Sequence, residues 1–231
     1  MIDKAREIAL KTLYKIDKEQ AYSNIALDEM LNKNRKELNS KDIGLISEIV
    51  YGVTTWRLTL DEIIKKYSNI KLKKISPWII NILRMSIYQI IFLDKIPKSA
   101  AVNEAVTLSK RYGHKSSSGF TNAILRKVTK EDFEELNKIE NNIERISKIT
   151  SMPEWIIEEL LKDGLTVEKV EEICKNSNKR PKLSIRVNTL KTSKQELQKM
   201  LEQKGIEVEE RNSRRFFKLK QSKKHRKFIR V

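Results

Sequence analysis

The segment from Pro77 to Leu93 constrains the fold more than any other part of the sequence. Apolar residues fill nearly every position from Trp78 onward, and a helix that is apolar on all sides packs at the centre of a bundle. Ser76 and Pro77 mark its start, because a serine oxygen can accept an unpaired backbone N–H and a proline at the first helical position has none to satisfy. We expect a buried helix and not a membrane span, which takes roughly 20 apolar residues, because the segment is short and has four polar interruptions: Asn81, Arg84, Ser86 and Gln89.

Shorter helical patterns surround this central segment. Residues 3–18 place apolar side chains on one face at the 3.6-residue spacing of a helix. Further helices are predicted near Ser23 and Ser40, where each serine can act as the N-terminal cap, and another covers Leu58–Tyr67. A polar hinge and then two cationic amphipathic helices follow the central helix. Residues 1–130 show no alternation with period two, so they predict an all-helical bundle with short connections.

Beyond residue 130 the sequence changes character three times. Residues 131–178 are acidic and predict a helical linker, in which Ser151 and Glu154 have the spacing of a capping box. Residues 179–210 predict an incomplete β–α–β piece, whose helix has a capping box of Ser193 and Glu196 and ends at Gly205. Residues 211–231 show neither helical nor strand regularity and predict a basic, patternless tail. The predicted fold class is therefore mainly α, with a small incomplete α+β piece.

The formal net charge of +17 is unevenly distributed along the chain. Residues 61–130 carry 14 basic and 4 acidic side chains, residues 131–178 carry 6 and 13, and residues 179–231 carry 18 and 5. Two basic regions separated by an acidic one indicate a polyanionic partner. Nucleic acid is the first candidate, because its phosphates bind lysine and arginine with release of counterions. The alternative is a lysine-rich surface that is merely solvated.

Catalytic chemistry finds little support in the sequence. Cys174 is the single cysteine, which excludes an internal disulfide framework and predicts a reducing compartment. We expect Cys174 to be a small buried apolar residue and not a nucleophile. No apolar signal segment follows Met1, so a cytoplasmic location is expected. The sequence has no phosphate-binding glycine fingerprint and no metal-ligand cluster, so no catalytic or metal-binding residue is predicted and the residues by themselves support binding.

Candidate RNA-binding residues lie at several separate places. Lys4 and Arg6 stand in the first turn of a helix, where cations gain nothing from the helix dipole, so the position suggests a binding role. The alternative is that a lysine in a first turn is only solvated. Lys115 lies in the polar turn of residues 113–119, near helix N-terminal amides that suit a phosphate, although a plain inter-helix loop explains this turn equally well. Arg126 and Lys127 can contact RNA phosphates, or can simply complement the dipole at the end of their helix. Arg186 and Asn188 can contact RNA from the predicted strand, or can simply keep an edge strand soluble.

Several of these segments resemble a known family. Asp42–Ile64, Ile82–Gly113 and Gly119–Val128 are similar to the N-terminal domain of the RsmB-type ribosomal RNA cytosine-C5 methyltransferases, a domain of the NusB fold family. The resemblance continues through Arg180–Leu197, which looks like the start of the methyltransferase region, where an RVN strand begins a small RNA-binding subdomain. It covers about residues 3–210. The resemblance implies a NusB-like bundle that docks on small-subunit ribosomal RNA.

The resemblance also implies features that this sequence does not contain. RsmB-type members continue with a doubly wound domain that binds S-adenosylmethionine and carries two catalytic cysteines. The sequence departs from that pattern near Arg211. We therefore expect a truncated or frame-shifted product, which binds no cofactor and does not transfer methyl groups by itself.

NusB proteins, which are standalone antitermination factors, suggest specific RNA-binding positions and a rival function. Their RNA surface involves a basic N-terminus and the loop before the last helix. Phe120 is one of the matching residues, but a position in the core is favoured for it. The rival functions are a NusB-like regulator of transcription, acting through RNA and a protein partner, and an inert helical scaffold. The positions that match the RNA surface are Lys4, Arg6, Lys115, Phe120, Asn122 and Lys127.

Overall fold

The computed structural model describes residues 2–179, 184–210 and 216–219, and the chain divides into two compact units after Asn178. No helix within these described ranges is long and apolar enough to span a membrane. The helices of the first unit are α1 (Lys4–Glu19), α2 (Ser23–Lys33), α3 (Ser40–Thr55), α4 (Arg57–Tyr67), α5 (Pro77–Phe92), α6 (Lys98–Tyr112), α7 (Ser117–Lys127), α8 (Glu131–Glu135), α9 (Asn142–Thr150), α10 (Glu154–Lys162) and α11 (Val167–Ser177).

Helix α5 lies at the centre of the bundle, as its apolar sequence predicts. Thirteen of its 16 residues are buried, and the apolar core around it comes from α1, α3, α4, α6 and α7. The predicted all-helical bundle is therefore confirmed. Pro77 is its first residue, as predicted, but the Ser76 side chain makes no capping hydrogen bond. Among its buried polar residues, Asn81 and Arg84 hydrogen-bond to Asp17.

The cap of α3 differs from the sequence prediction. Ser40 is the first helical residue, and the preceding Asn39 is the cap. The side-chain oxygen of Asn39 accepts from the backbone N–H groups of Lys41 and Asp42 at 2.8 and 3.0 Å, and the Asp42 carboxylate accepts from the Asn39 N–H. This reciprocal capping box satisfies the donors that Ser40 was predicted to satisfy. Ser23 is likewise a first helical residue and not a cap.

Residues 142–177 show more tertiary structure than the predicted acidic linker. Helices α9, α10 and α11 enclose a small core of Ile146, Ile157, Val170 and the buried Cys174. The Thr59 hydroxyl of α4 donates to the carbonyl of Lys148 at 2.6 Å. These helices therefore belong to the same compact unit as the bundle.

The predicted capping box of Ser151 and Glu154 is wrong. Ser151 ends α9 in the left-handed conformation, with φ 54°, and its hydroxyl accepts from the Leu58 N–H at 2.9 Å. Pro153 is the residue that precedes α10. The Ser151 side chain, which was expected to cap α10, therefore satisfies a backbone N–H in the first turn of α4.

The second unit contains three short strands and one helix in its described residues, β1 (Ser184–Arg186), α12 (Lys194–Gln203), β2 (Val208–Glu210) and β3 (Phe216–Leu219). Strand β3 lies between β1 and β2 and pairs with both in antiparallel fashion; Ile185 and Glu210 both pair with Phe217. The arrangement is a split β–α–β unit. The capping box of Ser193 and Glu196 is confirmed, and Gly205 follows α12 at φ 71°.

Strand β3 corrects the prediction of a patternless tail. The sequence predicts two strands with nothing to complete their sheet, whereas Phe216–Leu219 supplies the strand that joins them. A four-residue strand is too short to show a period in the sequence, and its place is set by pairing with both neighbours. The rest of the predicted tail, residues 211–215 and 220–231, lies outside the described residues, as do residues 180–183.

Candidate nucleic-acid interface

The start of α1 meets the end of α6 around one buried carboxylate, that of Glu7. The Tyr112 hydroxyl donates a hydrogen bond to it. Lys11 Nζ and Arg111 Nη1 lie 3.2 and 3.3 Å from Glu7 Oε1. Burial by itself would raise the pKa of Glu7, but the Tyr112 hydrogen bond and the two cations outweigh it, so the pKa is lowered. A charged Glu7 therefore holds two cations at this end of the bundle.

The turn between α6 and α7 needs a glycine at its first position. A Cβ at Gly113 would lie 2.6 Å from the Ser117 Cβ and 2.7 Å from the Ser109 carbonyl oxygen. The Ser117 hydroxyl accepts from the His114 N–H at 2.9 Å, which closes the turn. Lys115 is exposed at its tip. The tight turn therefore presents Lys115 to solvent three residues after Tyr112.

The two cations predicted in the first turn of α1 differ in their accessibility. Lys4 is half exposed and pairs with Glu37 at 2.6 Å, a hydrogen bond that raises its pKa. Arg6 is only 13% exposed, and its Nε donates to Gln89 Oε1 at 2.7 Å, while Asp3 lies 3.3 Å from its Nη1. Arg6 therefore connects α1 to α5, which argues against the phosphate contact predicted for it.

The other residues predicted on α7 do not lie beside Lys4 and Lys115. Phe120 is partly buried against the bundle core, and Asn122 is half-buried. Arg126 and Lys127 are exposed at the last turn of α7, about 15 Å from its start at a rise of about 1.5 Å per residue. Lys98 Nζ donates to the Arg126 carbonyl at 2.8 Å. The structure thus splits the predicted set between two ends of the α6–α7 hairpin.

Arg186 and Asn188 lie in the second unit. Arg186 is exposed at the end of β1. The Asn188 side-chain oxygen accepts from the Leu190 N–H at 3.1 Å, and its carbonyl accepts from the N–H groups of Lys191 and Thr192. Asn188 therefore builds the turn that leads toward α12, a structural role that was not predicted from the sequence.

Lys11 and Arg111 are additional cations at this end of the bundle that were not predicted from the sequence. Lys11 is four residues after Glu7, and this i,i+4 spacing of opposite charges on α1 was a detectable signal. Arg111 has no comparable local signal, because its partner Glu7 is 104 residues earlier in the chain. Glu37 raises the pKa of Lys4, and the nearby charge of Arg111 opposes this increase only weakly. Lys4 and Arg111 therefore lie on the same part of the surface.

The described residues contain no glycine-rich turn of the kind that a loop for S-adenosylmethionine uses. The chain's six glycines are dispersed, so none forms the glycine-rich turn that such a cofactor loop needs, and the described sheet is a three-stranded antiparallel one. Cys174 is buried in the small core, and this burial raises the pKa of its thiol. Within the described ranges, no group of three or more histidine, cysteine or acidic side chains is placed to hold a metal ion.

Replacing Glu7 by glutamine is expected to lower the free energy of unfolding by about 1–2 kcal/mol at pH 7, because hydrogen bonds to a charged group are lost. The pKa of Glu7 is lowered in the folded state, so its charge stabilises the protein above the ordinary pKa of 4.5 and this contribution is lost as the pH falls. Urea denaturation at pH 7 and about pH 3.5 measures the difference. A difference between wild type and variant that is unchanged at the lower pH contradicts the assignment.

Comparison with known proteins identifies two domains. The NusB family model matches residues 3–130, and the model of the RsmF/B-like methyltransferase ferredoxin-like domain matches residues 152–223. The second match begins inside the predicted linker and ends inside the predicted tail. It therefore includes α10, α11 and all three strands.

Individual relatives match the two domains to different extents. The probable ribosomal RNA small subunit methyltransferase B of Bacillus subtilis is 39% identical over 204 residues, which are 88% of this chain and 45% of that protein. The transcription antitermination protein NusB of Ruminiclostridium cellulolyticum is 38% identical over 134 residues, 55% of this chain and 88% of that protein. The chain thus spans about half the length of the methyltransferase relatives and nearly all of a NusB protein.

A solved structure agrees with the NusB match. NusB of T. maritima superposes on 58% of this chain and 99% of its own chain, with a TM-score of 0.50 and 25% sequence identity. The chain combines a NusB domain with an RsmF/B-like ferredoxin-like domain and is homologous to ribosomal RNA small subunit methyltransferase B. With the family model covering residues 3–130, more than half of its length, the chain belongs to the NusB family.

Proposed function

We propose that this chain binds RNA and serves as the docking part of an RsmB-type ribosomal RNA cytosine-C5 methyltransferase. The observation that carries the proposal is the joint presence of a NusB domain and an RsmF/B-like ferredoxin-like domain in one chain. The B. subtilis relative that spans both is named as a small subunit ribosomal RNA methyltransferase. Small-subunit ribosomal RNA is therefore the proposed partner.

The cationic end of the bundle supplies the proposed contact. Lys4, Lys11, Arg111 and Lys115 all lie around the start of α1 and the end of α6. Such side chains bind phosphates, which position a protein on RNA and carry little sequence information. The domain would then provide affinity for RNA, with base recognition left to other parts.

Methyl transfer is assigned to no residue of this chain. The glycines are dispersed and Cys174 is buried with a raised pKa, so neither a cofactor loop nor an activated cysteine is offered. Docking is the function that the described residues support.

The purified chain is expected to bind fragments of small-subunit ribosomal RNA with a strong dependence on salt. Each neutralised phosphate of a single strand contributes about −0.7 to the slope of log K against log salt, so the four cations at this end of the bundle contribute about −3 to the slope. Replacing Lys4 and Lys115 together by glutamine should make the slope less steep by about 1.4. Fluorescence anisotropy titrations at several salt concentrations measure both slopes.

A matched control removes the same charge elsewhere. Lys162 and Lys169 are exposed on α10 and α11, away from α1 and α6, and each pairs with a glutamate on its own helix. Replacing both by glutamine should leave the slope unchanged. If wild type shows no RNA binding at low salt, the proposed function is wrong.

A second candidate function is transcription antitermination. It is favoured by the R. cellulolyticum NusB protein, of which the chain covers 88% at 38% identity. A NusB-like regulator would act through RNA together with a protein partner. Tighter binding to antitermination-signal RNA than to ribosomal RNA fragments of equal length would favour this alternative.

A further inference from the structure

A second cationic surface lies at the other end of α1. A groove of about 960 Å³ is formed by the end of α1, helix α4, the 3₁₀ turn Leu72–Lys74 and the start of α5. Seven basic and two acidic side chains line it. Four apolar residues complete the lining, the partly exposed Leu72 and Pro77 and the nearly buried Ile75 and Ile80. None of the RNA-binding residues predicted from the sequence is among them.

The two acidic side chains of the groove are already neutralised. Arg84 donates to both oxygens of Asp61, at 2.7 and 2.8 Å, and to Asp17 Oδ2 at 2.9 Å. Arg57 lies 3.0 Å from Asp17 Oδ1, and Asn81 donates to Asp17 Oδ2 at 3.0 Å. Two arginines thus balance two aspartates, and this network contributes no net charge to the groove.

Four lysines of the groove are left uncompensated. Lys18, Lys71, Lys73 and Lys74 form no ion pair with any residue of the described ranges, whereas Lys65 pairs with Glu62 at 3.0 Å. Lys71 and Lys74 frame the same 3₁₀ turn, closed by a 2.8 Å hydrogen bond from the Lys74 N–H to the Lys71 carbonyl. Both lysines are exposed and line the groove, together with Lys73 between them. A concave surface lined by one sign of charge concentrates its potential and attracts anions.

We propose that this groove binds the phosphodiester backbone of a second segment of single-stranded RNA. The four lysines would bind the phosphates, as the basic residues of a positively charged groove do along a nucleic-acid backbone. The partly exposed Leu72 and Pro77 beside them would contact the apolar faces of the sugars. The inference rests on the proposed function, because it assigns a further contact to the same partner. The groove's size and its apolar lining favour a nucleotide strand over an inorganic anion.

The distance between the two cationic surfaces sets the length of RNA that can reach both. Lys4 and Lys18 are separated by about 21 Å along α1, at a rise of about 1.5 Å per residue. A stacked strand with a rise of about 3.4 Å per nucleotide covers this distance with about six nucleotides. An RNA of about 12 nucleotides is therefore long enough to occupy both surfaces.

The test compares two triple variants with the intact wild-type chain. The groove variant combines Lys71→Gln, Lys73→Gln and Lys74→Gln, and the control combines Lys162→Gln, Lys169→Gln and Lys175→Gln, three exposed lysines paired on their own helices. Anisotropy with a single-stranded RNA of about 12 nucleotides is expected to show binding weakened on the order of 100-fold at 0.1 M salt for the groove variant, with a slope less steep by about 2. The control variant should bind like wild type.

Thermal unfolding separates a lost contact from a lost fold. The groove lysines repel one another, so the groove variant is expected to unfold at the same temperature as wild type or above it. If wild type binds RNA and the groove variant binds it equally well, the groove assignment is wrong while the proposed function stands. If polyglutamate of equal charge binds wild type more tightly than RNA and the groove variant loses that binding, an acidic polypeptide replaces RNA as the occupant. If wild type binds no RNA, both proposals fail.

Discussion

Replacing Arg84 by methionine is expected to lower the free energy of unfolding by about 3–5 kcal/mol. Arg84 is 7% exposed and donates hydrogen bonds to both Asp17 and Asp61, whose side chains are also largely buried. Methionine fills part of the space but leaves the Asp61 carboxylate buried without its partner, which is the costly way to break a buried ion pair. Urea denaturation followed by circular dichroism measures the change.

Two comparison variants make this expectation specific. Arg57 pairs with the same Asp17 but is 51% exposed, so Arg57→Ala should cost less than about 1 kcal/mol. Combining Arg84→Met with Asp61→Leu removes the stranded carboxylate and should recover part of the loss. A double variant that is less stable than Arg84→Met would contradict this explanation.

Replacing Gly52 by alanine is expected to lower the free energy of unfolding by about 3 kcal/mol. A Cβ at this position of α3 would lie 2.0 Å from Tyr88 Cζ and 2.4 Å from its Cε1. The Tyr88 ring is buried in the core and its hydroxyl donates to Glu48 at 2.8 Å, so the ring cannot move away without losing contacts. Thermal or urea denaturation of the variant measures the cost.

Gly44 provides a control on the same helix. A Cβ there meets nothing within 4 Å, so Gly44→Ala should stabilise the protein by about 0.5–1 kcal/mol through the better helix propensity of alanine. If the Tyr88 contact causes the effect at position 52, Gly52→Ala should be much less harmful in a Tyr88→Leu background. Equal effects of the two glycine substitutions would show that the close approach of α3 and α5 is not what requires glycine.

The elements best predicted from the sequence are those whose signals are local. Helix α5 was predicted because its apolar residues surround the whole helix, and burial of 13 of its 16 residues confirms this. The capping box at Ser193 was predicted correctly for the same reason, since both partners lie within three residues. The identical spacing at Ser151 gave a wrong prediction, because the Ser151 hydroxyl accepts a hydrogen bond from the distant Leu58 N–H instead.

The candidate site depends on contacts between distant residues, which explains why less of it was predicted. Arg6 carries the expected charge, but the sequence does not show that its Nε donates a hydrogen bond to Gln89 of α5. The lysines at 71, 73 and 74 are visible as a run, yet their significance comes from Lys18 of α1 and from the neutralised aspartates beside them. Such groupings are set by the packing of helices, for which one sequence contains no direct signal.

The central position of β3 also has a consequence for synthesis on the ribosome. Neither β1 nor β2 has a partner other than β3 in the described sheet, and 30 residues separate Arg186 from Phe216. At a translation rate of about 5–20 residues per second, β3 is synthesised about 2–6 s after β1. During this time the preceding helical unit can already fold. A nascent polypeptide halted before Phe216 would therefore leave β1 and β2 without a partner, and unpaired strands favour aggregation.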